Sequence, residues 1–172
     1  MARNMVESRN AGALCSAVVV MVLAFVTAGA GLAQEASLTI SGYIGDGSGR
    51  VILGIEALEQ LPIVSFTTGT IWTTGERRFS GPTLASVLAL VVAGDGDLNL
   101  MALNDYAMKM PRGLVGATAP IIATRIDEEP FSIVENGPFW IVFPYDESRA
   151  YRSELHFATS VWQLTEIAVL PE

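Results

Sequence analysis

The chain has 172 residues and a formal charge of −8 at pH 7, one domain's worth of acidic protein. Such a surface repels nucleic acid and anionic lipid head groups, which excludes both as bulk partners. With one cysteine (Cys15) and one histidine (His156), a disulfide framework and the usual zinc sites are excluded as well. The fold must then rest on its hydrophobic core, and the chain is long enough to build one.

At the N-terminus Arg3 and Arg9 precede an uncharged run, Asn10 to Gln34, which passes through Gly31-Leu32-Ala33. A basic start, an apolar middle and small residues at the end read as a secretory signal. Residues 1–33 are therefore expected to be a signal peptide and residues 34–172 a single domain. A run of about 20 apolar residues would also serve as an uncleaved anchor, but Ala28, Gly29, Ala30, Gly31 and Ala33 favour cleavage. Leu14 before Cys15 argues against lipid attachment. Cleavage removes Cys15, so the exported chain carries no thiol.

Ser37–Ile44 begins as a period-two strand with Leu38 and Ile40 on one face. Gly45–Gly49 reads as a turn whose glycines do not fit the dinucleotide fingerprint. Gly54–Leu61 reads as a short helix stopped by Pro62, and Ile63–Trp72, β-branched and aromatic, as a strand. Thr83 caps a second helix with Leu84, Val87, Leu88 and Val91 on one face and Gly94 closing it. Short strands are expected at Leu98–Leu103, Tyr106–Met110, Ile121–Ile126, Phe139–Phe143 and Leu164–Leu170. Strands outnumber helices without alternating regularly with them, which predicts an α+β fold.

Familiar catalytic arrangements are missing. No Gly-x-Ser-x-Gly elbow occurs and nothing pairs His156 with a particular serine, so His156 reads as a packed or surface residue. Asp95-Gly96-Asp97-Leu98-Asn99 opens like a calcium loop but offers Leu100 and Tyr106 where glycine and glutamate belong; it reads as a solvated turn. Asp127-Glu128-Glu129-Pro130 reads as a charged turn.

Three segments carry more. In Ala102-Leu103-Asn104-Asp105-Tyr106 an Asn-Asp turn leads directly into a tyrosine. A strand ends in Pro144-Tyr145-Asp146, and Trp162 sits between Ser160-Val161 and Gln163. With Trp72 these supply flat apolar faces beside amide, hydroxyl and carboxylate groups, a setting for a planar heterocycle rich in hydrogen-bonding edges.

At these residues the chain resembles the molybdopterin-binding domain of the sulfite oxidase family, from about Ser37 to Leu170. The elements are Thr68-x-x-x-Trp72, Phe79-Ser80-Gly81-Pro82-Thr83-Leu84 leading into a helix, Asp105-Tyr106 followed by Pro111, Gly137-Pro138 before a strand, and Trp162. The resemblance implies a β-rich α+β domain, the sulfite oxidase-type molybdopterin-binding domain fold, whose cleft cradles a pterin. In those enzymes a cysteine, a soft thiolate donor, ligates molybdenum. Here that place falls to Thr68, or to Thr67 or Thr70, and a neutral hydroxyl is a much poorer ligand. Arg3 and Arg9 also form no Arg-Arg pair of the kind that exports folded molybdenum enzymes.

More closely, the chain is similar to a cysteine-less, exported branch of that fold. The shared elements are TTxTIWTxG, ALNDY, GPxWIVxPYD and SxWQL, at Thr67–Gly75, Ala102–Tyr106, Gly137–Asp146 and Ser160–Leu164. Characterised members of the branch are periplasmic proteins that bind pterin and report it to inner-membrane enzymes making or degrading cyclic di-GMP. The resemblance thus implies a periplasmic regulator rather than an enzyme, with no catalytic residue, no metal ligand, no covalent cofactor and no molybdenum. Its ligand would be a pterin, molybdopterin-like or reduced, held by Thr68, Trp72, Asn104, Asp105, Tyr106, Tyr145, Arg152, Ser160 and Trp162. The ring is expected against Trp72 or Tyr106 with Asp105 accepting its N–H edge, and Arg77 or Arg152 near an anionic tail. The partner would be the periplasmic domain of an inner-membrane sensor or cyclic-di-GMP enzyme, met by Asp146–Arg152 and Gly45–Gly49. Two other readings stand beside this one: a molybdopterin-dependent oxidoreductase subunit with an atypical metal ligand, and a structural domain whose cleft takes no ligand.

Overall fold

The computed structural model describes residues 36–172 apart from Asp46, Phe131, Ile133 and Glu135. The expected signal peptide, residues 1–33, lies outside the described residues, as does Asp46 in the expected Gly45–Gly49 turn.

Strand β1 (Ser37–Ile44) pairs along its whole length with an antiparallel β2 (Gly47–Gly54). The glycines that suggested a longer turn therefore begin a strand, because β1 faces it residue for residue in an antiparallel ladder. Gly54 leads into helix α1 (Ile55–Glu59), which buries Leu58. Strand β3 (Ile63–Gly69) forms a hairpin with β4 (Glu76–Pro82). β3 is shorter than the periodicity predicts. Past Gly69, Thr70 Oγ1 accepts from Trp72 N at 3.1 Å and Thr73 N at 3.0 Å, and this local turn outcompetes strand pairing.

Helix α2 (Leu84–Leu90) begins as expected, with Thr83 accepting from Ser86 N at 3.1 Å and Leu84, Val87 and Leu88 buried on one face. The chain leaves it at Val91 and Val92 (φ 51°), so the exit comes before Gly94. β5 (Leu98–Ala102) and β6 (Ala107–Met110) form the next hairpin. The expected Ile121–Ile126 strand is divided between β7 (Ile121–Ala123) and β8 (Arg125–Ile126), which belong to different sheets. β9 (Glu129–Pro130), β10 (Trp140–Val142), a 3₁₀ turn (Arg149–Arg152), helix α3 (Glu154–Thr159) and β11 (Leu164–Val169) complete the order.

A five-stranded sheet has the order β2-β1-β11-β5-β6, with β1 and β11 parallel. A four-stranded sheet runs β3-β4-β8-β9, and β10 pairs with β7. Leu38, Ile40, Leu98, Leu100 and Ile167 from the first sheet meet Phe79, Ile122, Trp140 and Ile141 from the others in one apolar core. Gly81 shows how closely β4 and β7 approach: a Cβ there would lie 2.0 Å from the Ile122 carbonyl oxygen, so only glycine fits. The chain is β-rich with few, short helices. Among the described residues no helix is long and apolar enough to cross a membrane.

Candidate functional site

The site is assembled where the β3–β4 turn, the β5–β6 turn and α3 meet. The Thr70-centred turn sets Trp72 edge-on to Trp140 (ring centroids 5.8 Å apart) and Phe157 (6.2 Å). Trp140 is fully buried and itself packs against Phe79 at 5.4 Å, so Trp72 rests on a fixed aromatic base. Ser153 caps α3, which brings Glu154, Phe157 and Ala158 (i, i+3, i+4) to one face. The Tyr106 hydroxyl donates to the Ala158 carbonyl at 3.2 Å, tying the β5–β6 turn to that helix. Trp162 completes the enclosure through its bridge to Trp140.

These elements bound a cavity of about 400 Å³ lined by Ile71, Trp72, Ala102, Asn104, Tyr106, Glu154, Phe157, Ala158, Ser160, Val161 and Trp162. The volume falls within the range of small-molecule sites, and the lining has the usual character of such sites: aromatic faces and a few polar groups. Ile71 and Phe157 also line a neighbouring open groove of about 320 Å³ with Gly69, Thr70, Tyr145, Asp146 and Arg152.

The groove's polar groups are committed to one another. Asp146 accepts from Gly69 N at 2.6 Å, from the Thr68 hydroxyl at 3.1 Å and from the Arg152 guanidinium. The Gly69 amide, then Thr68 and Arg152, hold its carboxyl below the usual aspartate range. Arg152 Nε also donates to the Tyr145 carbonyl at 2.9 Å. Tyr145 stacks on Phe157 with centroids 5.1 Å apart. Ser160 Oγ donates to His156 O at 2.7 Å, so the Tyr145 hydroxyl bonded to it is the donor of that pair. Burial pushes the Tyr145 hydroxyl up to about 12.

Of the residues expected to hold ligand, Trp72, Asn104, Tyr106, Ser160 and Trp162 come together on the cavity. Tyr145 and Arg152 face the adjacent groove instead. Thr68 is fully buried; its hydroxyl donates to the Asp146 carboxylate and accepts from Asp146 N at 3.2 Å. Asp105 does not line the cavity. It is exposed, sits at φ 63° and donates its backbone N–H to the Ala102 carbonyl at 3.1 Å, a turn residue. Arg77 is paired with Asp127 and lines neither depression. Glu154, Phe157 and Ile71 were not anticipated. The one sequence signal for α3 is Ser153 ahead of an acidic residue, a capping pattern too short to stand out.

The remaining polar clusters are structural. Asp127 accepts from Arg78 N at 2.8 Å and pairs with Arg77, and these contacts lower its carboxyl in that order. Asp97 accepts from Arg112 N at 2.9 Å and pairs with Lys109 at 3.1 Å, and is lowered likewise. The His156 ring packs edge-on to Phe143 and Tyr151 and bonds Ser153 Oγ at 2.7 Å; burial lowers its pKa. It sits in the first turn of α3, beside the Ser153 cap, and is not part of the cavity lining. Among the described residues, no three His, Cys, Asp or Glu side chains converge as a metal site.

As a donor set, these residues do not fit a thiolate-bound molybdenum. The Thr68 hydroxyl is sealed from both depressions, and hydroxyl oxygen is a poor match for a metal that calls for sulfur. The aromatic cavity does fit a planar ring.

No family model matches the chain, and no curated protein matches it. Among solved structures the chain is similar to the sulfane dehydrogenase SoxCD from Paracoccus pantotrophus, at 16% identity and a TM-score of 0.59. The match covers 80% of this chain and 38% of that one, so this chain spans less than two fifths of SoxCD's length. The likeness is one of fold: a β-rich domain distantly related to the sulfite oxidase-type fold.

Proposed function

We propose that this chain is a periplasmic pterin-binding regulatory protein on a sulfite oxidase-type molybdopterin-binding domain fold, of the cysteine-less branch. It carries no molybdenum chemistry, and it signals its ligand state to the periplasmic domain of an inner-membrane cyclic-di-GMP enzyme. The observation that carries this reading is the cavity in which Trp72, Tyr106 and Trp162 present aromatic faces beside Asn104, while the Thr68 hydroxyl donates to the Asp146 carboxylate. A flat heterocycle gains stacking and apolar contact there. Asn104 Oδ1 accepts from Tyr106 N at 3.2 Å, which leaves the amide N–H groups of Asn104 for a carbonyl on the ring. A bound ligand can bias the partner only if filled and empty protein differ in affinity for it. The Thr70–Gly75 and Asp146–Arg152 segments, which border the two depressions, are where that difference would arise.

The deciding experiment is mass spectrometry of small molecules released from protein purified from its own compartment, with elemental analysis of the same sample. A stoichiometric pterin with background molybdenum supports the reading. Stoichiometric molybdenum would favour the alternative, a molybdopterin-dependent oxidoreductase subunit with an atypical metal ligand. Trp72→Leu should weaken pterin binding by about tenfold, the scale of one lost aromatic stack; unchanged affinity would place the ring elsewhere.

A further inference from the structure

We infer that Glu154 is the ligand-selecting residue of the aromatic cavity, and that it makes the site specific for a planar heterocycle presenting adjacent N–H donors, against one carrying an anionic group at that end. The inference rests on the pterin reading above and narrows it.

Among the described residues Glu154 is the only charged one in the cavity lining. The other side-chain oxygens there already have partners within the protein. The Ser160 hydroxyl donates to the His156 carbonyl, the Tyr106 hydroxyl donates to the Ala158 carbonyl, and Asn104 Oδ1 is taken by Tyr106 N. Glu154, exposed at the start of α3, has no side-chain hydrogen bond or ion pair among the described residues. It therefore offers two carboxylate oxygens with free lone pairs beside aromatic faces. Two parallel N–H groups on a ring edge, such as the 2-amino and ring N–H of an aminopyrimidinone, match that pair in the bidentate manner.

The same charge works against anionic ligands. Arg152 is paired with Asp146, and the exposed Arg149, on the 3₁₀ turn ahead of α3, does not line the cavity. Among the described residues no cation lines the cavity to offset Glu154. A phosphate or carboxylate directed at this end would meet a carboxylate of like charge. The sequence assigned the N–H edge to Asp105, but Asp105 lies outside the cavity, and Glu154 has the same chemistry in the right place.

The test is titration calorimetry of the intact protein with three probes: pterin, lumazine (which has an oxo group where pterin has the 2-amino group) and pterin-6-carboxylate. Each is titrated into wild type and Glu154→Gln, which keeps the size and removes the charge. Wild type should prefer pterin over lumazine by about tenfold, the lower end for a charge-assisted hydrogen bond at an exposed site. Glu154→Gln should weaken pterin by a similar factor, level the pterin-to-lumazine ratio and weaken pterin-6-carboxylate as much as pterin, since the 6-carboxylate lies at the far end of the ring from the 2-amino edge. A wild type that binds pterin and lumazine alike, or a Gln variant that keeps the wild-type ratio, would overturn the role of Glu154 and leave the pterin reading standing. A wild type that binds none of the three would overturn both.

Discussion

Thr68 and Asp146 hold each other beneath the wall of the groove. The Thr68 hydroxyl donates to Asp146 Oδ2 at 3.1 Å, and the Asp146 amide donates back to Thr68 Oγ1 at 3.2 Å. The residues are 78 apart in sequence, so this reciprocal pair joins the end of β3 to the segment after β10. It also keeps the fully buried hydroxyl turned toward the Asp146 side chain and backbone.

Thr68→Val should therefore destabilise the fold by about 1–2 kcal/mol, because the Asp146 amide loses its acceptor while the apolar volume is kept. Urea denaturation monitored by tryptophan fluorescence reads this as a lower midpoint with an unchanged slope. Thr68→Cys should bind no molybdenum in elemental analysis, since the sulfur would still face Asp146.

Stability should depend on pH with a defined sign on each flank. His156 is lowered by burial, so its contribution is present above the unfolded value near 6.5 and is lost as pH falls through the folded one. The carboxyls of Asp97, Asp127 and Asp146 are lowered by backbone amides and basic partners. Their contributions are present above about 3.9 and are lost as pH falls below it. Denaturation midpoints from pH 8 to 3 should fall in two stages, and His156→Gln should remove the first.

On the alkaline flank Tyr145 is raised to about 12. Its contribution is intact below the unfolded value near 10 and is lost as pH climbs toward 12. Absorbance titration of tyrosinate should show a late step near 12 that Tyr145→Phe abolishes.

Glu59 on α1 grips Arg125 on β8 with two bonds, 2.8 Å and 3.1 Å. The pair is partly exposed, so solvent screening limits its value. Glu59→Ala should lower stability by about 1 kcal/mol, and about half of that should be screened by molar salt in the wild type.

The proposed partner contact has a clean probe in Arg149, which is exposed in the 3₁₀ turn beside the groove. Arg152, also expected there, is tied to Asp146 and the Tyr145 carbonyl, so reversing its charge would disturb the groove wall. Arg149→Glu should reduce capture of the partner's periplasmic domain by about two- to tenfold, as rim charges do, with pterin affinity unchanged. A pull-down with and without pterin reads both effects. Equal capture in the two conditions would mean a constitutive subunit.

By itself the sequence determined the features that depend on neighbouring residues. The α2 face of Leu84, Val87 and Leu88 with its Thr83 cap, the period-two start of β1, and the Asn104-Asp105 turn follow from local spacing and side-chain chemistry, and each stands where it was expected. The aromatic residues of the cavity were legible as well, because Trp72, Tyr106 and Trp162 lie beside turn signals. Tertiary structure alone decided how Ile121–Ile126 divides between two sheets and that the Gly69 amide donates to Asp146. Those outcomes depend on hydrogen-bond partners far away in the chain. The same holds for the carboxylates. Asp105, Asp146 and Glu154 look alike in a sequence, yet one caps a turn, one seals Thr68, and one lines the cavity. A carboxylate's role is set by what packs around it, and distant elements supply that packing.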